Sequence, residues 1–64
     1  MYVIIETKST EHHGAFHVGY YKPNGDFYTE ESFDYIESEV SGVKNKIEHR
    51  RYARELCSEL NGGR

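Results

Sequence analysis

Glu11, His12, His13 and His17 bring one carboxylate and three imidazoles into a stretch of seven residues. These residue types ligate zinc-like ions or carry protons. Ligation needs side chains that converge on a closed set. His12 and His13 are neighbours on a polar loop, and His17 follows across the entry to a strand, so they read as exposed histidines and no metal site is assigned. General acid–base catalysis needs a cleft and a partner nucleophile, and no spacing in the chain supplies either. Cys57 is the only cysteine. Arg54, one helical turn away, would favour its thiolate, but no second cysteine or histidine stands at redox spacing. Cys57 therefore reads as a small buried hydrophobe. Gly14, Gly25, Gly62 and Gly63 read as turns and a helix stop, and Gly19, inside a strand, as a bulge or close backbone approach. No phosphate-binding glycine pattern is present. The expectation is a protein that is not an enzyme and carries no cofactor.

A second chemistry lies in the bases Lys46, Arg50, Arg51 and Arg54. On a helix Arg50 and Arg54 share a face, with Lys46 one turn before them, as a row able to contact phosphates. Glu48, Glu55 and Glu59 interrupt it, and a pI of about 5.7 argues against nucleic acid. Intrahelical pairs such as Arg51 with Glu55 account for the same residues. Upstream, Asp26, Glu30, Glu31, Asp34, Glu37 and Glu39 lie between Pro23 and Val43 with no base among them. The chain, with net charge −3, thus has an acidic middle and a basic segment. Two solvated faces explain this, and a charged surface that orients a partner is the sharper reading.

The third chemistry is aromatic. Six tyrosines and three phenylalanines occur in 64 residues, and Phe16, Tyr20, Tyr21, Phe27 and Tyr28 crowd into one short stretch. Tyrosine and phenylalanine on an uncovered sheet stack on bases or anchor a protein partner. The neighbouring acids Glu6, Asp26 and Glu30 would repel a phosphate chain, so a protein partner is favoured.

These side chains need elements to hold them. Tyr2 to Lys8 is rich in β-branched and aromatic residues and predicts a first strand. Ser9 to Gly14 is a polar loop, and Ala15 to Tyr21 a second strand. Lys22-Pro23-Asn24-Gly25 predicts a hairpin: proline presets the first turn residue and glycine supplies the left-handed one. Asp26 to about Thr29 or Glu30 is then the third strand, with Tyr21 opposite Phe27 and Tyr20 opposite Tyr28 for a three-residue loop; a two-residue Asn24-Gly25 turn would shift this pairing by one and change the face of Tyr28. Asp34-Tyr35-Ile36-Glu37 fits a helix capping box, and Asn45-Lys46-Ile47-Glu48 resembles another. Ser41-Gly42 between them is a poor helix interior.

Ile36, Val40, Val43 and Ile47 form one apolar stripe, and His49, Tyr52, Ala53, Leu56 and Leu60 another, about 120° away at 100° per residue. Either the helix breaks near Gly42 to Asn45, or it continues and its spare stripe meets a second subunit. The continuous case predicts a homodimer through Ile36, Val40, Val43 and Ile47. Asn61-Gly62-Gly63 is a helix stop.

The expected fold class is α+β: one domain over 1–64, a three-stranded antiparallel meander with a C-terminal helix, continuous or broken in two, on one face. Its expected core is Val3, Ile5, Phe16, Val18, Ala53, Leu56 and Leu60. The uncovered face is expected to carry Tyr2, Ile4, His17 and Tyr21 with Phe27, or with Tyr28 in its place. Tyr2, His17, Tyr21, Phe27 and Tyr28 are the candidate partner-binding residues.

A chain this short buries only about 60% of its unfolded surface and gains from disulfides, metals or self-association. A single cysteine excludes an internal disulfide and fits a reducing compartment, so a cytoplasmic location is expected. The start of the chain reaches Glu6 too soon for a signal peptide, and no apolar run approaches a membrane span.

Pro23-Asn24-Gly25, Ser32-Phe33-Asp34 and Leu60-Asn61-Gly62-Gly63 together resemble a loose class of small accessory proteins of bacteriophages and mobile elements. In that class a short meander with a Pro-Asn-Gly turn is followed by Ser-Phe-Asp opening a helix and a Leu-Asn-Gly-Gly end. The resemblance covers most of the chain and transfers no site residue. It implies a module, phage-encoded and acting in the host cytoplasm, that binds a larger host protein and inhibits or modulates it. A similar sheet and helix occur in DNA-binding arms of some integrases. That gives the alternative, a small DNA-binding regulator using Lys46, Arg50, Arg51 and Arg54.

Overall fold

Three stretches rich in β-branched and aromatic residues become three strands, and the amphipathic stretch with helix formers becomes a helix. The computed structural model describes residues 1–36 and 42–63. Its order is β1 (Val3–Lys8), β2 (His13–Tyr21), β3 (Phe27–Ile36) and α1 (Gly42–Leu60). The strands form one antiparallel sheet with β2 in the middle. The α+β fold expected from sequence is the one found.

The hairpin joining β2 to β3 follows its turn chemistry. Gly25 N–H donates to the Lys22 carbonyl at 2.9 Å, Lys22 N–H to the Asp26 carbonyl at 2.7 Å, and Gly25 takes the left-handed φ of 97°. Tyr21 consequently pairs with Phe27, and Tyr20 with Tyr28, as the three-residue loop requires. The register slips once, between Val18 and Gly19, where Glu30 is the extra residue of a bulge. Gly19 is obligatory there, because a Cβ on it would overlap the Tyr28 carbonyl and reach the Phe27 ring. The far end of α1 closes in a Schellman motif, with Gly63 N–H on the Ser58 carbonyl at 2.8 Å and Gly62 in the left-handed region.

Alternation places Phe16 and Val18 of β2 toward α1, and with them Ile4 opposite Val18, Phe33 opposite Phe16 and Tyr35 opposite Gly14. Phe16, Val18, Tyr35 and Ala53 are the buried centre, with Tyr2, Ile4, Phe33, Leu56, Cys57 and Leu60 packed around them. Ala53 is wholly buried, where its small side chain lets the helix approach the sheet. Phe16, Val18 and Ala53 are thus buried as the sequence predicts, and Leu56 and Leu60 pack against them only partly buried.

Val3 and Ile5 are not. They point to the opposite face, since the register pairs Ile4, not Ile5, with Val18. A one-residue change of phase moves a whole strand's side chains across the sheet, and the six-residue loop before Ala15 left that phase open. Tyr2 and Ile4, expected on the uncovered face, lie on the helix side.

The second correction is at β3. Asp34, Tyr35 and Ile36 are strand, not the first turn of a helix, so the capping box at Asp34 and the Ser32-Phe33-Asp34 helix opening are not formed. Strand wins because Phe33 and Tyr35 deliver two rings to the core; Tyr35 stands 5.0 Å from Phe16, and its hydroxyl donates to Glu6. Asn45 lies inside α1 and so is not its cap; its Oδ1 accepts from the Ile36 N–H at 3.4 Å. Ile36 is on a strand, so it does not share one helical row with Ile47. Val40 and the side chain of Val43 lie outside the described residues, and Ile47 is half exposed.

Candidate functional site

Alpha1 covers one face of the sheet. Among the described residues, no element covers the other, which we call the open face. Alternation puts Val3, Ile5 and Thr7 of β1 there, His17 and Tyr21 of β2, and Phe27, Thr29, Ser32 and Asp34 of β3. Among the described strand residues, the face carries one formal charge, Asp34. The other charged strand residues go elsewhere: Glu6, Lys8 and Glu31 alternate to the helix side, and Glu30 sits beside Tyr28.

His17 stands at the centre of the open face, half buried. Its Nε2 is 2.8 Å from Thr7 Oγ1 on one neighbouring strand, and its Nδ1 is 2.8 Å from Ser32 Oγ on the other. A hydroxyl both donates and accepts, so the two flanking groups serve either tautomer of the ring. The most polar ring of the face is therefore satisfied from within it. Burying a polar group is costly only when its hydrogen bonds are lost, so this surface tolerates being covered.

Tyr21 and Phe27 close the hairpin end of the face, rings 5.0 Å apart and steeply inclined. Tyr21 is 62% exposed. The candidate residues Tyr2 and Tyr28 belong to the opposite side, where Tyr2, Tyr20 and Tyr28 run across the three strands with centroids 5.4 and 5.1 Å apart. Tyr2 is held by the end of the chain: its N–H donates to Asn61 Oδ1 at 2.8 Å, and its carbonyl accepts from Asn61 Nδ2 at 2.9 Å and from Cys57 Sγ at 3.3 Å. Glu30 pushes the Tyr28 phenol above its ordinary range. So the structure unites His17, Tyr21 and Phe27 on one face, and gathers Tyr2 and Tyr28 at the same end of the sheet but on the other face.

The other sequence candidates separate. His13 Nδ1 pairs with Thr10 Oγ1 at 3.0 Å, far in register from the His17 site. No three His, Cys, Asp or Glu residues among those described are placed to hold a metal ion. Lys46 turns toward the sheet, 3.5 Å from Glu6 and 5.1 Å above the Tyr35 ring, and so leaves the basic row. Arg50, Arg51 and Arg54 remain exposed, with Arg51 5.6 Å from the Tyr52 ring.

Thr7, Ser32 and Asp34 were missed as site residues. The polar-apolar alternation Ser32-Phe33-Asp34-Tyr35 is itself a strand signal, and following it to Ile36 would have put Ser32 beside His17.

No protein-family model, no curated protein and no solved structure matches the chain. No helix of the described residues is long and apolar enough to cross a membrane.

Proposed function

We propose that the protein is a small non-enzymatic binding module that docks on a larger protein through the open face of its sheet. The observation that supports this most is the makeup of that face: aromatic anchors at Tyr21 and Phe27, a single charge, and a central histidine already hydrogen-bonded. An antiparallel sheet with one solvated face usually turns charged side chains to water. This one turns most of them to the rim of the helix side. Tyrosine is enriched among the residues that anchor binding energy. Inhibition or modulation of a host protein by a phage-encoded module in the cytoplasm is the biological setting we favour, on the resemblance and the lone Cys57.

Affinity capture from a bacterial lysate, run in parallel with wild type and with Tyr21→Ala and Phe27→Ala, tests the reading. A protein retained by wild type and lost from both folded variants supports it; identical captures from all three overturn it. A second reading, a DNA-binding regulator, rests on exposed Arg50, Arg51 and Arg54. Binding to duplex DNA that falls steeply with salt would favour it.

A further inference from the structure

At the end of the open face away from Tyr21, a depression of about 460 Å³ lies between β1 and β3. Its floor is Ala15, nearly buried, whose cross-strand neighbours are Thr7 on one side and Asp34 on the other. Ser9 and His13 close one end, and Ile36 adds an apolar wall. Small Ala15 between longer neighbours makes the hollow. Asp34 is the one carboxylate on this face, and its side chain has no cation or hydrogen-bond donor among the described residues. The basic side chain nearest in role, Lys46, is engaged with Glu6 on the opposite face.

We propose that this hollow seats an arginine side chain of a basic protein partner. The inference rests on the open face being the docking surface, and it names the partner's chemistry. The match is of charge and shape together. Each outer strand is about 4.8 Å from the middle one, so the Thr7 and Asp34 backbones flank Ala15 about 10 Å apart, with their side chains on opposite lips of the hollow. The Thr7 hydroxyl, which also pairs with His17 Nε2, has two acceptor lone pairs and a single proton. A guanidinium carries donors along several edges of one plane, so one group seated over Ala15 donates to acceptors on both lips where their side chains lean inward. A lysine ammonium is a compact charge that reaches one lip. The aliphatic stem of arginine packs on Ala15 and Ile36. The net charge of −3 favours the approach of a basic surface.

The probe is N-acetyl-L-arginine N-methylamide, titrated into the full chain at neutral pH and followed by backbone amide shifts. Saturable shifts confined to Thr7, Ala15 and Asp34 are expected. The citrulline analogue, with the same shape and no charge, should cause none, and the lysine analogue should bind several-fold more weakly. Asp34→Asn should weaken binding at least fivefold, and Ala15→Val, which fills the floor and keeps the carboxylate, should do the same. Tyr21→Ala should leave it unchanged, so loss of the arginine seat and loss of the aromatic anchor are separate results. Shifts scattered over Glu48, Glu55 and Glu59, or shifts indifferent to Asp34→Asn, overturn the proposal. So does a sedimenting dimer whose formation moves the same amides without probe, because a second copy would then fill the seat.

Discussion

The two faces of the sheet are built by opposite rules. The helix side has an apolar centre of Phe16, Val18, Tyr35 and Ala53, ringed by charge: Glu6 with Lys46, and Glu31 and Lys8 farther out. The open side has little charge anywhere, and its middle is a histidine held by two hydroxyls. On the covered face, polarity is pushed to the rim, where water and ion pairing satisfy it. On the open face, polarity sits at the centre and is satisfied by neighbours. Exposure alone therefore does not tell a solvated surface from one suited to a partner; the distribution of unmet hydrogen-bonding and charge does.

The strongest way to break the contrast is at the bulge that joins the faces. Gly19→Ala would drive a methyl into the Tyr28 carbonyl, which is backbone and cannot step aside. Overpacking typically costs about 1–3 kcal/mol and more where the obstacle is rigid, so this variant is expected to lose at least about 3 kcal/mol in urea unfolding. A loss under about 1 kcal/mol would mean that β2 and β3 do not pair through this bulge.

The phase of β1 is tested by a pair. Ile4→Ala removes a side chain packed on the core and should cost about 2–3 kcal/mol, within the range for truncating a buried aliphatic. Ile5→Ala, on the open face beside His17, should cost about 1 kcal/mol or less. The reverse order would put Val3 and Ile5 back in the core.

Tyr21→Ala should leave unfolding almost unchanged, because the ring is mostly in water, while weakening partner binding by at least about 1 kcal/mol, near fivefold. An unfolded variant, or unchanged affinity per folded molecule, would remove Tyr21 as an anchor.

The smallest expected effect is on the helix side. The Tyr35 hydroxyl holds the Glu6 carboxyl below its ordinary value of 4.5; burial opposes this, and Lys46 and then Lys8 add to the lowering. A carboxyl depressed in the folded state stabilises above its unfolded pKa and loses that contribution as pH falls through the folded value. Thermal stability should therefore drop below about pH 4.5, by less than about 1 kcal/mol because the Glu6 side chain is 38% exposed and screened. Glu6→Gln should flatten this part of the profile; an equally steep profile in that variant would assign the acid sensitivity to other carboxyls.

Much of the fold was legible where a local rule governs. Pro23-Asn24-Gly25 set the hairpin while leaving its register open by one residue, Gly19 marked a bulge or close backbone approach, and Gly62 ended the helix, because turn and cap geometries are properties of a few adjacent residues. The helix stripe of Ala53, Leu56 and Leu60 followed from its period. The candidate site was legible in part: His17, Tyr21 and Phe27 do share the open face, whereas Tyr2 and Tyr28 belong to the other.

What failed was decided over distance. Asp34-Tyr35-Ile36-Glu37 has the chemistry of a helix start, yet Asp34, Tyr35 and Ile36 are strand, because burying Tyr35 against Phe16 and Gly14 outweighs a cap. Val3, Ile5 and Ile4 are equally apolar, so their own pattern cannot say which side is inside. Pairing with β2 chose Ile4 by placing it across from Val18. That choice brought Thr7 to His17 and left Ala15 as the floor between Thr7 and Asp34. Turns and caps are paid for within a few residues, but the face a strand presents is settled only when its neighbour and the helix arrive.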